Sequence, residues 1–161
     1  MKAMRVAYLT HYGDLLGANR SLLELVKGLR ASRGVEPVVL VPREGELTSA
    51  LRVADIAVHV FGFEPWMTER WYGGRPHHRL MQFVREERMA RDRARTNASL
   101  LPAMVELLRN EGVEVVHANS ALVAVAPLLA DALKVPLVWH IREMPERHYG
   151  MHIDVGRRRY G

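Results

Sequence analysis

Five short apolar runs, set apart by stretches of helical period, constrain the fold of this chain more than any other feature. They are residues 6–10, 38–41, 57–61, 113–117 and 136–140, and their apolar residues fall at successive rather than alternate positions. A strand built this way is covered on both faces, so it belongs in a parallel sheet between two helix layers. Between the runs, Leu22, Leu25, Val26 and Leu29 share one helical face, and Leu101, Met104, Val105 and Leu108 share another. Residues 47–53 and 122–133 complete the helix set. Ser99 is expected to cap the helix before the fourth run, with Pro102 in its first turn and Gly112 at its end. The simplest topology joining these units is a Rossmann-like α/β fold: a parallel sheet of order 3-2-1-4-5 with helices on both faces.

The 161 residues, 48% hydrophobic and 25% charged, suit one domain with its own core. No apolar run approaches the ~18 residues a membrane span needs, and the N-terminal run is too short for a signal peptide, so a cytoplasmic location is expected. The absence of cysteine excludes disulfides and thiolate metal sites. The net charge of +5 is concentrated: residues 64–95 hold eight arginines against five acids, and Arg157, Arg158 and Arg159 add three more. The remainder is close to neutral, so no general nucleic-acid-binding face is expected.

Residues 64–97 break the alternation. They hold Trp66, Trp71, Gly73-Gly74 and His77-His78, then an arginine-rich stretch with Leu80, Met81, Phe83, Val84 and Met89. A loop followed by an amphipathic helix with basic flanks is expected. That helix either packs one apolar face on the domain or makes peripheral contact with an anionic membrane, at the inner membrane surface, or with a charged acceptor.

Chemistry is sought where strands end. The first run leads into His11-Tyr12-Gly13-Asp14-Leu15-Leu16-Gly17-Ala18-Asn19, which places backbone N–H groups at a helix start. Gly17 and Ala18 either serve the geometry of a tight strand-to-helix turn alone or, being small, let a ligand approach the backbone. Gly13 and Gly17 stand as G-x-x-x-G, not the G-x-G-x-x-G of a dinucleotide site, and only Glu44 is available to a ribose after the second run. A Walker lysine is missing as well. The fourth run ends in His117-Ala118-Asn119-Ser120, where Asn119 or Ser120 either caps the next helix or binds a sugar hydroxyl. The fifth ends in Trp139-His140-Ile141-Arg142-Glu143, where His140 is either structural or exchanges a proton near neutral pH. His140, His148 and His152 lack acidic or cysteine partners, so no metal site is expected. No G-x-S-x-G elbow is present.

Taken together, these segments resemble the N-terminal domain of family 4 glycosyltransferases, whose two Rossmann-like domains face each other across a cleft (the GT-B fold). The likeness is carried by Arg5-Val6-Ala7-Tyr8-Leu9, Gly17-Ala18-Asn19-Arg20-Ser21-Leu22, Val115-Val116-His117-Ala118-Asn119-Ser120 and Val138-Trp139-His140-Ile141-Arg142-Glu143. It covers nearly the whole chain except residues 64–97 and the tail. The resemblance implies transfer of a sugar from a nucleotide-diphosphate sugar, a co-substrate with no further cofactor, to an acceptor glycan, lipid or small molecule. It implies Gly17 and Ala18 beside the donor phosphates and His140 as the catalytic residue facing the donor sugar. It also implies Asn119 near the acceptor, with Ser120, His11, Arg142 and Glu143 as further acceptor- or sugar-binding candidates. Ala18 stands where the family often has a second glycine. In the family, insertions like residues 64–97 commonly shape the acceptor site.

The family's second domain, with its E-x7-E glutamates, is not in this sequence. Glu36 and Glu44 have that spacing, but they flank the second run inside the first domain. The chain is therefore expected to be the N-terminal half of a longer enzyme, close to inactive by itself. The competing expectation is a stand-alone, non-catalytic binding or interaction module of the same fold.

Overall fold

The computed structural model describes residues 3–70, 72–142, 147 and 150–154; Trp71, Glu143, His148 and Arg157 to Arg159 lie outside them. Along the chain come β1 (Met4–Leu9), α1 (Gly17–Arg33), β2 (Val35–Val41), α2 (Glu46–Val53) and β3 (Ala57–Val60). Then follow β4 (Met67–Glu69), α3 (Pro76–Asn110), β5 (Val115–Ala118), α4 (Val125–Leu133), β6 (Leu137–Trp139) and β7 (Met151–Ile153).

Five strands form one sheet in the order β3-β2-β1-β5-β6, parallel throughout. Counted within this sheet alone, the order is the expected 3-2-1-4-5. The extra strand β4 pairs antiparallel with β7 in a separate two-stranded sheet. Because successive side chains of a strand point to opposite faces, the central strands feed two cores. Ala7, Leu9, Val38 and Leu40 pack with Met104, Leu108, Val125 and Leu129 of α3 and α4. Val6, Tyr8, Val39 and Val41 pack with Leu22, Val26, Leu47 and Leu51 of α1 and α2. Each fully buried aliphatic side chain contributes about 2 kcal/mol, which is why uninterrupted apolar strands select this three-layer arrangement.

The largest departure from the sequence reading is α3. No helix starts at Ser99; a single helix of 35 residues runs from Pro76 to Asn110. Its buried side chains Ala90, Asn97, Met104 and Leu108 recur at helical spacing on both sides of Pro102, so one stripe faces inward throughout. Pro102 is exposed and forgoes one backbone bond, and the Ser99 hydroxyl donates to the Thr96 carbonyl at 2.8 Å instead of capping. Gly112, with φ 66, turns the chain into β5 as expected.

Buried charge ties the N-terminal part of α3 to the small sheet. Arg93 Nε donates to Asp154 at 2.7 Å, and Arg70 donates to Asp154 at 3.1 Å and to Glu87 at 2.8 Å. The side chains of Asp154 and Arg70 are 2% and 7% exposed. Removing one partner of a buried pair leaves a charge without its counterpart. Asp154→Ala, which strips Arg93 of its carboxylate and leaves Arg70 with Glu87 alone, is expected to lower the unfolding free energy by about 3 kcal/mol in a urea titration. A loss below about 1 kcal/mol would rank these contacts with ordinary surface pairs.

Candidate functional site

Parallel pairing sets the ends of three strands level. Leu9 aligns with Ala118, and Ala118 with Trp139, so Thr10, Asn119 and His140 follow one another across the C-terminal rim of the sheet. The ladder continues into this row: the Asn119 N–H donates to the Leu9 carbonyl and the His140 N–H to the Ala118 carbonyl, both at 2.8 Å. In open α/β sheets such a rim is where ligands bind.

The first turn is held by two buried polar residues absent from the sequence-derived set. The Asn19 amide donates to the carbonyls of Tyr12 and Asp14 at 3.0 and 2.7 Å, and its oxygen accepts the Thr10 hydroxyl at 2.5 Å. Both residues are fully buried. The signal that could have found Thr10 is its position, a polar residue closing an apolar run; no local signal marks Asn19. At the start of α1 the N–H groups of Asn19 and Arg20 both donate to the Leu16 carbonyl. Those of Gly17 and Ala18 have no partner among the described residues. They remain available to an anion, with the helix dipole behind them.

The glycines of this turn divide in an unexpected way. A Cβ on Gly13 would overlap the Arg43 carbonyl oxygen, and one on Gly45 would overlap the Gly13 carbonyl. Close approach of the loops after β1 and β2 therefore requires glycine at 13 and 45. At Gly17 a Cβ would meet nothing within 4 Å, and its φ is not positive. Nothing within the described residues requires a glycine there.

Asn119 joins the rim to α1. Its side-chain N–H donates to the Ala18 carbonyl at 3.1 Å, and its oxygen accepts the Arg142 guanidinium at 3.2 Å. The residue is fully buried, and both ends of its amide are committed. Ser120, 3% exposed, accepts the Leu122 N–H at 3.1 Å and closes a turn ahead of α4. Neither residue caps that helix, which starts only at Val125 with Ala124 as its N-cap. Two tryptophans grip the same loop: Trp66 Nε1 donates to the Ala121 carbonyl at 2.6 Å and Trp139 Nε1 to the Ser120 carbonyl at 2.9 Å. Their rings stack 5.8 Å apart. Trp66 is 7% exposed and serves the interior.

His140 is exposed on the rim, and its ring lies parallel to that of His117, with centroids 6.0 Å apart and planes at 8°. His117 meets Tyr8 edge-on from its other side at 5.1 Å. Burial, reinforced by the neighbouring His140 and Arg142, pushes the His117 pKa down to about 4, so this imidazole is neutral at pH 7. His11 is likewise pushed down to about 4 by burial, and its Nδ1 has no partner among the described residues.

His11 lines an open cavity of about 430 Å³ with Pro42, Arg43, Gly62, Phe63, Glu64 and Pro65, from the loops after β1, β2 and β3. Arg43, one of its lining residues, pairs with Asp14 at 3.2 Å. Glu44 is not free for a ribose: it holds Arg52 through both oxygens, at 2.6 and 2.9 Å, and accepts the Thr48 hydroxyl at 2.7 Å. The Arg52 and Thr48 hydrogen bonds lower its pKa to about 2. The structure thus brings Gly17, Ala18, Asn119, His140 and Arg142 to one rim, with His11 on its β2 side. Glu143 lies outside the described residues. Among them no group of three or more histidines and acids could hold a metal ion.

The family model described as Glycosyltransferase Family 4 matches residues 16–160. Among solved structures, Anabaena HepE in complex with UDP is 19% identical; the match covers 91% of this chain and 32% of HepE, with a TM-score of 0.54. MurG of Acinetobacter baumannii is 11% identical over 84% of this chain and 34% of MurG, at 0.51. The glycotransferase of kitacinnamycin is 15% identical over 93% of this chain and 34% of its own, also at 0.51. These likenesses show the fold, and the chain spans about a third of the length of each. No curated protein sequence matches.

The buried histidines set a pH dependence of stability. Free in the unfolded chain, His117 titrates near 6.5; folded, it resists protonation until about 4. Below pH 6.5 the unfolded chain binds a proton that the folded chain refuses, so this stability is complete above 6.5 and is lost as pH falls toward 4. For His117 the full effect is about 3 kcal/mol. His117→Phe is expected to flatten the change in unfolding free energy between pH 7.5 and 5, leaving the part due to His11. An unchanged slope in urea titrations would show that His117 does not carry it.

Proposed function

This chain belongs to glycosyltransferase family 4, and from that premise we propose that it forms the acceptor-side wall of a two-walled active site. In this reading a sugar passes from a nucleotide-diphosphate sugar to an acceptor bound against the rim, and a second domain supplies the opposite wall. The observation that carries it is the pair of N–H groups at Gly17 and Ala18, unpartnered among the described residues, on the same rim as His140. The α1 N-terminus offers partial positive charge and two donors to the donor diphosphate. The open space in front of Gly17 lets that group reach the backbone, which supplies a reason for glycine that the chain's own packing lacks.

His140 faces the reacting centre in this reading. Its backbone is held by the Ala118 carbonyl and its ring rests on the neutral, buried His117, so the imidazole is presented in a defined orientation. A hydrogen bond from a fixed imidazole to the sugar gains strength in a site from which water is excluded. Asn119 acts as a positioning residue, holding Arg142 toward the cleft and the α1 start against the rim. Arg142 adds positive charge beside the donor, and the His11–Arg43–Glu64 cavity receives a polar acceptor group.

Proximity of donor and acceptor accounts for much of the rate of a transfer reaction, and half a cleft cannot provide it. The chain alone is therefore expected to bind nucleotide-diphosphate sugars weakly or undetectably in calorimetric titration; micromolar affinity would overturn the division of labour between two walls. In the two-domain protein, His140→Ala is expected to lower kcat at least tenfold with little change in Tm. Gly17→Val, whose side chain fills only empty space, is expected to leave Tm unchanged and to weaken donor use at least tenfold. Unchanged kinetics for both variants would remove this rim from the reaction.

A further inference from the structure

Between α3, α4 and the loop after β3 lies a pocket of about 360 Å³. It exists because its wall positions are small. Ala90, Ala94 and Ala98 fall about one helical turn apart on α3, and Ala124 adds a fourth alanine from the start of α4. Packed elements leave few voids larger than a water molecule, so a space of this size marks a place where side chains stop short. Buried Trp66 and Leu128, 37% exposed, extend the apolar wall. Pro65 borders both this pocket and the cavity of His11, and the two share no other lining residue.

Three polar side chains interrupt this wall, and two of them are fully engaged. Asn97 is tied at both ends of its amide to the Glu64 backbone. Asp154, with its side chain 2% exposed, accepts Arg93 Nε at 2.7 Å, Arg70 at 3.1 Å and the Thr68 hydroxyl at 3.2 Å. Arg93 keeps donors open. Its guanidinium is engaged along one edge, Nε with Asp154 and Nη2 with the Thr68 hydroxyl at 3.4 Å, and Nη1 has no partner among the described residues. Ala124 is both a wall residue and the N-cap of α4, so the positive end of that helix adds to the charge of Arg93. No acid other than the engaged Asp154 lines the pocket among the described residues. The Asp154 cluster fastens α3 to the β4–β7 sheet, so the pocket is preformed and binding incurs little ordering cost.

We propose that this pocket binds a small organic anion, its apolar body seated against Trp66 and the alanines and its carboxylate held by Arg93 Nη1. Such a ligand satisfies both halves of the lining at once. An inorganic anion would leave the alanine wall facing water, and a purely apolar molecule would cover the open guanidinium donors without a partner. A hydrogen bond between two charged groups is about twice as strong as one between neutral groups, so the carboxylate contributes affinity as well as orientation. The site rests on this pocket alone and holds whatever reaction the rim carries.

The test is calorimetric titration of the chain with 4-phenylbutyrate and with 4-phenylbutanol, which has the same body without the charge. The acid is expected to bind saturably with a Kd of about 0.1 mM and at least tenfold more tightly than the alcohol. Ala94 is exposed, so Ala94→Leu enlarges the wall without disturbing the core; it is expected to weaken binding of the acid at least tenfold and leave Tm unchanged. Arg93→Lys keeps a counter-charge for Asp154 but engages its one ammonium there, and is expected to cut the preference for the acid to about threefold or less. If Arg93→Lys does not fold, Ala94→Leu and the comparison of acid with alcohol still decide the matter. Absence of saturable binding, an affinity unchanged by Ala94→Leu, or equal binding of acid and alcohol would overturn the proposal. So would a dimer in sedimentation equilibrium that Ala94→Leu dissociates, since a second copy would then fill the pocket.

Discussion

The levelling of three parallel strand ends is the constraint on which the rest of this structure depends. Parallel ladder bonds fix the register of β1, β5 and β6, so residues distant in sequence emerge side by side as Thr10, Asn119 and His140. A slip of one residue in any of these pairs would turn the strand's core side chains to the opposite face. The two apolar layers therefore enforce the register, and the register aligns the rim.

Polar groups at the rim fall into two kinds. Thr10, Asn19, Asn119 and Ser120 are buried and satisfied, and they shape the loops. Gly17, Ala18, His140 and Arg142 are held by that scaffold and present donors or charge to the open side. This division is the usual way a rigid α/β sheet supports variable chemistry: the scaffold spends its hydrogen bonds inward so that a few groups remain unspent. It also explains why a fully buried asparagine lies in the middle of the rim with both ends of its amide committed.

Much of the fold was legible in the residues. Runs apolar on both faces announced the parallel sheet, and helical stripes such as Leu22–Val26 announced the layers around it. Strand ends pointed to the first turn, to Asn119 and to His140. The continuity of α3 through Pro102 was hidden because a proline near a serine reads locally as a helix start, whereas burial of Ala90, Asn97 and Met104 along one stripe is decided by what the helix packs against. The role of Asn19 was hidden for a similar reason: its amide partners, Thr10, Tyr12 and Asp14, are brought to it only when the turn closes. The place of Trp66 was hidden as well: its indole N–H finds the Ala121 carbonyl 55 positions away.

By itself the sequence determined the class of fold, the strand order and the segments that reach the rim, because hydrophobic periodicity and connection length are local properties that packing can only satisfy in a few ways. Tertiary structure decided which of those residues are spent and which are free. A hydrogen bond such as Asn119 to Ala18, or the salt bridge of Asp154 with Arg93, depends on the meeting of distant segments.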